Sequence, residues 1–447
     1  MPEIHPFRAL HYDPARAGDL SKVVAQPYDK VDDRLREEYY ARDPHHIIRV
    51  DKRKEEPGDD TGEKKYPAAA ATLESWVREG ALVEDPGPGL YAVHQAYTFE
   101  GTRRTRKGIC AMVRLEEYGA GRIHPHEETH SGPKIDRLKL LRATETHLGH
   151  IFLLYSDPAG EITKASDAAT SSRPPDLRAV DDFGEEHAAW RIGDREAIRR
   201  IVDAMGPREA IIADGHHRYE TALAYRRECA AAGRRGVGAE SFDNVLATLV
   251  NMDDPGLTCF PTHRVIKDRP PVNREAFLEK LSGIFDVKTW TFANGLEEKQ
   301  ARSAMLEAVR ADGKEAHAFG LALPSVAHAR LRVRDTSSTA GRVDAPRSID
   351  WRSLDVNLLH TVILEKMMRI TPDDTAHERF VDYVRSADEA VDRVVAGRGV
   401  CAFIVNPVRM EQIRRVVRHG ERFPQKSTDF YPKMLSGFLM CRLRFEK

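Results

Sequence analysis

Residues 209–225 read EAIIADGHHRYETALAY. Ala210-Ile211-Ile212-Ala213 is a short apolar run and predicts a buried strand. Asp214-Gly215 interrupts it, and glycine permits a sharp turn with close backbone approach. From His216 the pattern turns helical, with Tyr219, Ala222, Leu223 and Arg226 at spacings of three and four among good helix formers. The segment therefore predicts strand, glycine turn and helix, with His216, His217 and Arg218 in the first helical turn. That turn carries free N–H groups and the positive end of the helix dipole, and so attracts phosphate or carboxylate. Cationic side chains there oppose the dipole unless an anion joins them. In the alternative reading Asp214 pairs with Arg218 and the histidines are ordinary surface groups.

The totals bound the rest. The 447 residues suffice for two domains and an ample core. Lys and Arg number 69 against 70 Asp and Glu, so no global basic field exists to hold nucleic acid or an anionic membrane. No apolar run approaches the roughly 20 residues of a membrane span, and the N-terminus does not read as a signal peptide. Cys110, Cys229, Cys259, Cys401 and Cys441 are scattered and without CxxC pairing, which predicts reduced thiols, no zinc site and a cytoplasmic location.

Before the central segment, Gln26-Pro27-Tyr28-Asp29-Lys30 offers an aromatic face and a carboxylate, as a pocket or as a turn with a capping Asp. A helix is expected over 32–40, a strand over 45–50, a solvated charged loop over 51–65 and a helix about 68–77. Residues 90–100 and 106–115 predict a hairpin around Gly101. Residues 123–144, IHPHEETHSGPKIDRLKLLRAT, predict a His/Glu-rich loop followed by a helix from Pro133. Three readings stand for that loop: metal binding by His124, His126, Glu127 and His130, acid–base work by Glu127 beside His126, or a surface loop. Residues 156–176 are expected to be a polar connector, and 244–251 a second buried strand in the sheet of 210–213. Asp253, at the end of that strand, offers metal-compatible oxygens or simply a turn.

Pro270-Pro271 suggests a domain boundary. The second half predicts helices over 273–284, 296–310, 350–368, 386 onward and 409–418, with strands over 316–323, 327–333 and 400–405. Near the end, FPQKSTDFYPK (423–433) makes a stiff loop with two lysines and two hydroxyls, either phosphate-binding or packing the C-terminus.

Asp214-Gly215-His216-His217-Arg218-Tyr219-Glu220 resembles the hallmark of domain-of-unknown-function family 1015. It is more distantly similar to the glycine-x-x-arginine box of the ParB/sulfiredoxin fold, which binds nucleotide phosphates and includes the free-serine kinases. Gly215, His217 and Arg218 match that box, while His216 replaces the sulfiredoxin cysteine and excludes its thiol chemistry. The family's proline-proline-tyrosine-aspartate motif is matched with Gln26 in place of the first proline. Its other signatures resemble His126-Glu127-Glu128-Thr129 with Gly132-Pro133-Lys134, and Phe423 to Lys433; Pro261-Thr262-His263-Arg264 is similar as well.

The resemblance implies an α/β fold with a mixed sheet: a ParB/sulfiredoxin-like core over 1–268 and a further C-terminal α/β domain over 269–447. An anion site, a basic loop and a Glu/His loop together suggest phosphoryl transfer, which depends on positioning and charge neutralisation. On this reading Asp214, Gly215, His216, His217 and Arg218, with Lys426, Ser427, Thr428 and Lys433, hold the phosphates of ATP or ADP. Glu127, with His126 and His217, is catalytic; Tyr28, Asp29, His263 and Arg264 face the substrate; Asp214 or Asp253 meets Mg2+. The free-serine kinases imply L-serine as acceptor. The competing readings are a nucleotide-binding regulator without chemistry and a metal-dependent hydrolase. The absence of GxxxxGK[ST] rules out a P-loop kinase. Nucleic acid and membrane are not expected partners, and a homodimer is a possible assembly.

Overall fold

The computed structural model describes residues 2–55, 58–59, 61–99, 101–119, 121–128, 132–270, 273–324 and 327–446, with backbone only for 132–133. The expected site residue His130, the motif residue Thr129 and the boundary residue Pro271 lie outside the described residues. The chain forms two compact units. One comprises Met1–Pro125, Thr129–Thr258 and Phe430–Lys447, the other His126–Glu128 and Cys259–Asp429. The division expected after residue 268 thus falls at 258/259, because His263–Ile266 is an inner strand of the second unit's sheet.

The first unit holds strands β1 (Ile4–His5), β2 (Leu90–Phe99), β3 (Thr102–Arg114), β4 (Ile123–Pro125), β5 (Ile151–Tyr155), β6 (Leu177–Val180), β7 (Glu186–Ile192), β8 (Ala210–Asp214) and β9 (Asn244–Asn251). They form a mixed sheet in the order β4-β8-β5-β9-β3-β2-β7-β6, with β1 against β3. The β4/β8 and β5/β9 pairs are parallel. The β8/β5 and β9/β3 pairs are antiparallel. The principal helices are α1 (Asp33–Arg42), α2 (Ile48–Asp51), α3 (Lys65–Glu79), α4 (Gly132–Thr144), α5 (Glu161–Thr170), α6 (Arg195–Met205) and α7 (His216–Ala231).

The sheet is buried on both faces. Along β3, Cys110 and Met112 enter one apolar cluster while Ile109, Ala111 and Val113 enter another, the period-two alternation of a strand. Every residue of β9 is buried. Leu249→Ala is therefore expected to cost about 2–5 kcal/mol, read as a lower urea midpoint with unchanged slope. Of α7, Tyr219, Ala222 and Leu223 pack on one cluster and Tyr225 and Cys229 on the other.

The strand expected over 45–50 gives way to α2, whose Ile48, Val50 and Asp51 are buried. Arg137 donates to both the backbone and the carboxylate of Asp51, a long-range fit that local β-propensity cannot register. The connector expected over 156–176 contains α5, with Ile162, Ser166 and Thr170 buried at spacings of four. Its Thr170 hydroxyl donates to the Ser166 carbonyl at 3.0 Å, so a short polar side chain is accommodated inside a helix.

In the second unit, β10 (His263–Ile266), β11 (Phe285–Thr291), β12 (Ala318–Ala322), β13 (Ala327–Val333), β14 (Val381–Val384) and β15 (Cys401–Val405) form an antiparallel sheet. Its order is β11-β13-β12-β15-β10-β14. The helix expected over 350–368 is broken into Ile349–Arg352, Asp355–Asn357 and a π-helical turn, Leu358–Glu365. The wider turn still buries Leu358, Leu359, Val362, Ile363 and Leu364. Among the described residues no helix is long and apolar enough to cross a membrane.

Candidate functional site

Strand β8 ends at Asp214, Gly215 turns the chain, and α7 begins at His216. Gly215 has φ 86°, in the left-handed region that glycine adopts without strain. A Cβ there would lie 3.2–3.3 Å from the guanidinium of Arg218. A Cβ on Gly149 would lie 3.1 Å from Arg218 Nη1. Two glycines thus leave the space that the Arg218 head occupies. The N-cap position of α7 is Gly215, which has no side chain to cap the helix. The helices α1 and α6 are capped by Asp32 and Asp194.

Asp214 holds the corner together. Its Oδ1 accepts the Gly215 N–H at 2.7 Å and its Oδ2 accepts from Lys433 Nζ at 3.1 Å. Burial would raise its pKa, but Lys433, Arg218 and Lys30 outweigh it and hold the carboxyl below its ordinary value. Three cations therefore act on one carboxylate. Arg218 is half-buried and has no hydrogen-bond or ion-pair partner among the described residues.

Lys433 is placed by groups that sequence reading missed. Gln95 donates to the Lys433 carbonyl at 2.8 Å. Arg106, 1% exposed, donates to Gln95 Oε1 and to the Pro432 carbonyl. Burial lowers the Arg106 pKa to about 9. Lys30, also missed, follows directly after the expected Tyr28-Asp29, and that adjacency was the available signal. Nothing in the spacing of Arg106 or Gln95 pointed to their role.

A folded-state pKa below the unfolded value of about 3.9 means that Asp214 adds stability above that value. This contribution is lost as pH falls through the folded pKa. Asp214→Asn is expected to cost about 1.5–3 kcal/mol at neutral pH and to flatten the acid limb of stability against pH, measured by urea unfolding from pH 6 to 2.

The other expected residues fall as follows. His216 and His217 are half-buried at the start of α7. Tyr28 is half-buried and Asp29 exposed, in a short turn of helix. The Arg137 guanidinium lies 4.2 Å from the Tyr28 ring centroid, and burial raises the phenol to about 12. Asp253 accepts from the Ser156 hydroxyl at 2.7 Å and the Asp157 N–H at 2.9 Å. It is not brought to Asp214. Strand β8 runs against β5, placing Asp214 opposite Phe152, whereas β9 runs with β5, placing Asn251 opposite Tyr155. The two aspartates lie toward opposite ends of β5, so they are separate candidates for Mg2+ and do not share an ion. Asp214 alone, with both oxygens engaged and cations around it, does not fit a protein-held Mg2+. No group of three or more metal-ligating side chains occurs among the described residues.

The remaining candidates belong to the second unit. His126 is fully buried and hydrogen-bonded through Nε2 to the Thr428 hydroxyl at 2.7 Å. Glu127 Oε1 accepts the Lys426 N–H at 2.6 Å, and its Oε2 lies 3.7 Å from His126 Nε2. Lys426 has φ 59°, and its Nζ lies 3.5 Å from Glu378. The Ser427 hydroxyl donates to the Pro424 carbonyl at 2.5 Å. His263 is 3% exposed and accepts the Val405 N–H at 3.2 Å; burial lowers its pKa to about 3. Arg264, also buried, donates to His360 Nε2 and to the Lys426 carbonyl, both at 3.2 Å. The stretch read as one loop is thus divided, with Lys426, Ser427 and Thr428 in the second unit and Lys433 in the first.

Sheet, turn and cations define a mixed α/β protein with a cationic corner at a helix N-terminus. The chain belongs to the family described as "Protein of unknown function (DUF1015)", whose sequence model matches residues 4–357. No curated protein matches it. Similar solved structures include a conserved hypothetical protein from Pyrococcus furiosus, at 13% identity and TM-score 0.29, over 70% of this chain and 91% of that one. A free serine kinase mutant in complex with ADP aligns at 11% identity and TM-score 0.33, over 70% and 88%. SbnI from Staphylococcus aureus aligns at 11% and 0.33, over 73% and 85%. At these scores the likenesses carry no inference about chemistry.

Proposed function

We propose that the protein is a nucleotide-dependent phosphotransferase acting on a small hydroxyl substrate, with the phosphates of ATP or ADP bound at the Asp214–Arg218 corner. One observation carries the reading. Lys30, Arg218 and Lys433 act on the single carboxylate of Asp214, and the Arg218 guanidinium has no hydrogen-bonding or ion-pair partner among the described residues. An anion completes that balance. A phosphate group suits a planar guanidinium fork and a helix N-terminus that follows a glycine. Mg2+ would arrive with the nucleotide and be held by its phosphates.

In this reaction Gly215 lets the backbone turn close to the phosphates, and Lys433 neutralises charge on them. Glu127 is assigned as the proton acceptor for the substrate hydroxyl, on its motif and on the buried histidine beside it. L-serine as acceptor and O-phosphoserine as product follow from the resemblance of residues 214–220 to the free-serine kinase box. Incubation of the full chain with ATP or ADP, Mg2+ and L-serine tests the proposal by the appearance of phosphoserine. Nucleotide binding without turnover on any small hydroxyl compound sinks it. That outcome supports a regulator, a reading favoured by the bonds that tie Glu127 to the Lys426 backbone and to Thr428.

A further inference from the structure

The first unit contains a cavity of about 60 Å³, whose polar wall includes Tyr28, Asp51, Arg137, Arg218 and Thr221. One water needs about 10–15 Å³ on this measure, so the cavity admits a molecule of a handful of heavy atoms. Leucines and Val245 form much of the remaining wall.

Two of the lining residues each hold a buried polar side-chain atom with no partner among the described residues: Asp51 Oδ2 and Thr221 Oγ1. Their residues are 6% and 4% exposed. Arg137 cannot serve Oδ2 without giving up existing bonds. Its Nη1 donates to Asp51 Oδ1 at 2.9 Å and to the Asp51 carbonyl at 2.8 Å, and its Nε donates to Asp136 at 2.8 Å. A carboxylate oxygen accepts only, so Oδ2 calls for a donor on the ligand. Arg218, which donates only, calls for an acceptor. Its head has two sides. Nε and Nη2 lie beside Gly215, while Nη1 lies beside Gly149, which also lines the cavity.

We propose that this cavity binds a small amino-acid zwitterion, its ammonium on Asp51 Oδ2 and Thr221 Oγ1 and its carboxylate on Arg218 Nη1. The inference rests on the phosphotransferase reading, for which it supplies the acceptor's binding site and leaves the Nε/Nη2 edge of Arg218 for phosphate. The leucine wall and the volume select a short side chain such as that of serine or alanine.

The test is calorimetric titration of the full-length protein, with and without ADP, using L-serine, L-alanine, glycolate and ethanolamine. Serine and alanine are expected to bind. Glycolate, without the ammonium, and ethanolamine, without the carboxylate, are expected to bind at least about tenfold more weakly. Thr221→Val, nearly isosteric, is expected to weaken both amino acids about five- to tenfold, and Asp51→Asn about a hundredfold. If Asp51→Asn fails to fold through its lost pairing with Arg137, Thr221→Val decides. No saturable amino-acid binding, or binding that Thr221→Val leaves unchanged, overturns the assignment. Amino-acid binding of the expected pattern with no phosphoryl transfer from ATP or ADP upholds the cavity and removes the phosphotransferase reading.

Discussion

Arg218→Ala is expected to raise the dissociation constants for ATP and ADP by about 30-fold or more while leaving the thermal midpoint nearly unchanged. The first half follows from charge. Removing one member of a desolvated, hydrogen-bonded charge pair costs about 2–5 kcal/mol, and each 1.4 kcal/mol is about tenfold in affinity. The second half follows from the absence of any hydrogen bond or ion pair to Arg218 among the described residues. Truncating it breaks no hydrogen bond or ion pair, and the lost attraction to Asp214 is offset by relieved repulsion from Lys433 and Lys30, which act on the same carboxylate. Arg218→Lys should fall between, because an ammonium keeps the charge but loses the planar fork. Affinity should also decline with added salt, since the site is partly exposed and its field is screened within about 8–10 Å. Unchanged nucleotide affinity in Arg218→Ala removes the phosphate site. A large loss of thermal stability would mean instead that the guanidinium is a structural element.

Glu127→Gln is expected to lower turnover by about 10²- to 10⁴-fold with nucleotide affinity intact. Glutamine keeps a carbonyl oxygen able to accept the Lys426 N–H that Glu127 Oε1 now accepts, so the fold should persist. It cannot take a proton from a hydroxyl, so a general base would be lost. The comparison of turnover with binding separates chemistry from architecture. Turnover that survives the substitution assigns the proton to another group. Loss of stability together with loss of binding makes Glu127 a brace for the Lys426 backbone and not a base.

Much of the first unit was legible in order along the chain. The strand Ala210–Asp214, the turn at Gly215 and the helix from His216 follow the change of apolar period from a run to three and four. The hairpin Leu90–Phe99 and Thr102–Arg114 follows from alternation around Gly101. The failures share a cause. Residues 48–51 became helical to bury Asp51 against Arg137, 86 positions away. The Ala/Ser/Asp-rich segment 161–170 became helical because the face of Ile162, Ser166 and Thr170 packs inward. Neither partner is visible within a local window.

The site divides in the same way. Period and glycine placement in the sequence determined that a helix begins just after Asp214-Gly215, because these depend on neighbouring residues alone. Tertiary structure alone decided which cations meet there. Lys433 reaches Asp214 across 219 positions, held by Gln95 and Arg106. It also decided that Asp253 does not join them, since strand direction sends the two aspartates toward opposite ends of β5, the strand between theirs. Charge at a distance depends on where folding brings the chain, and a linear pattern does not carry that coordinate.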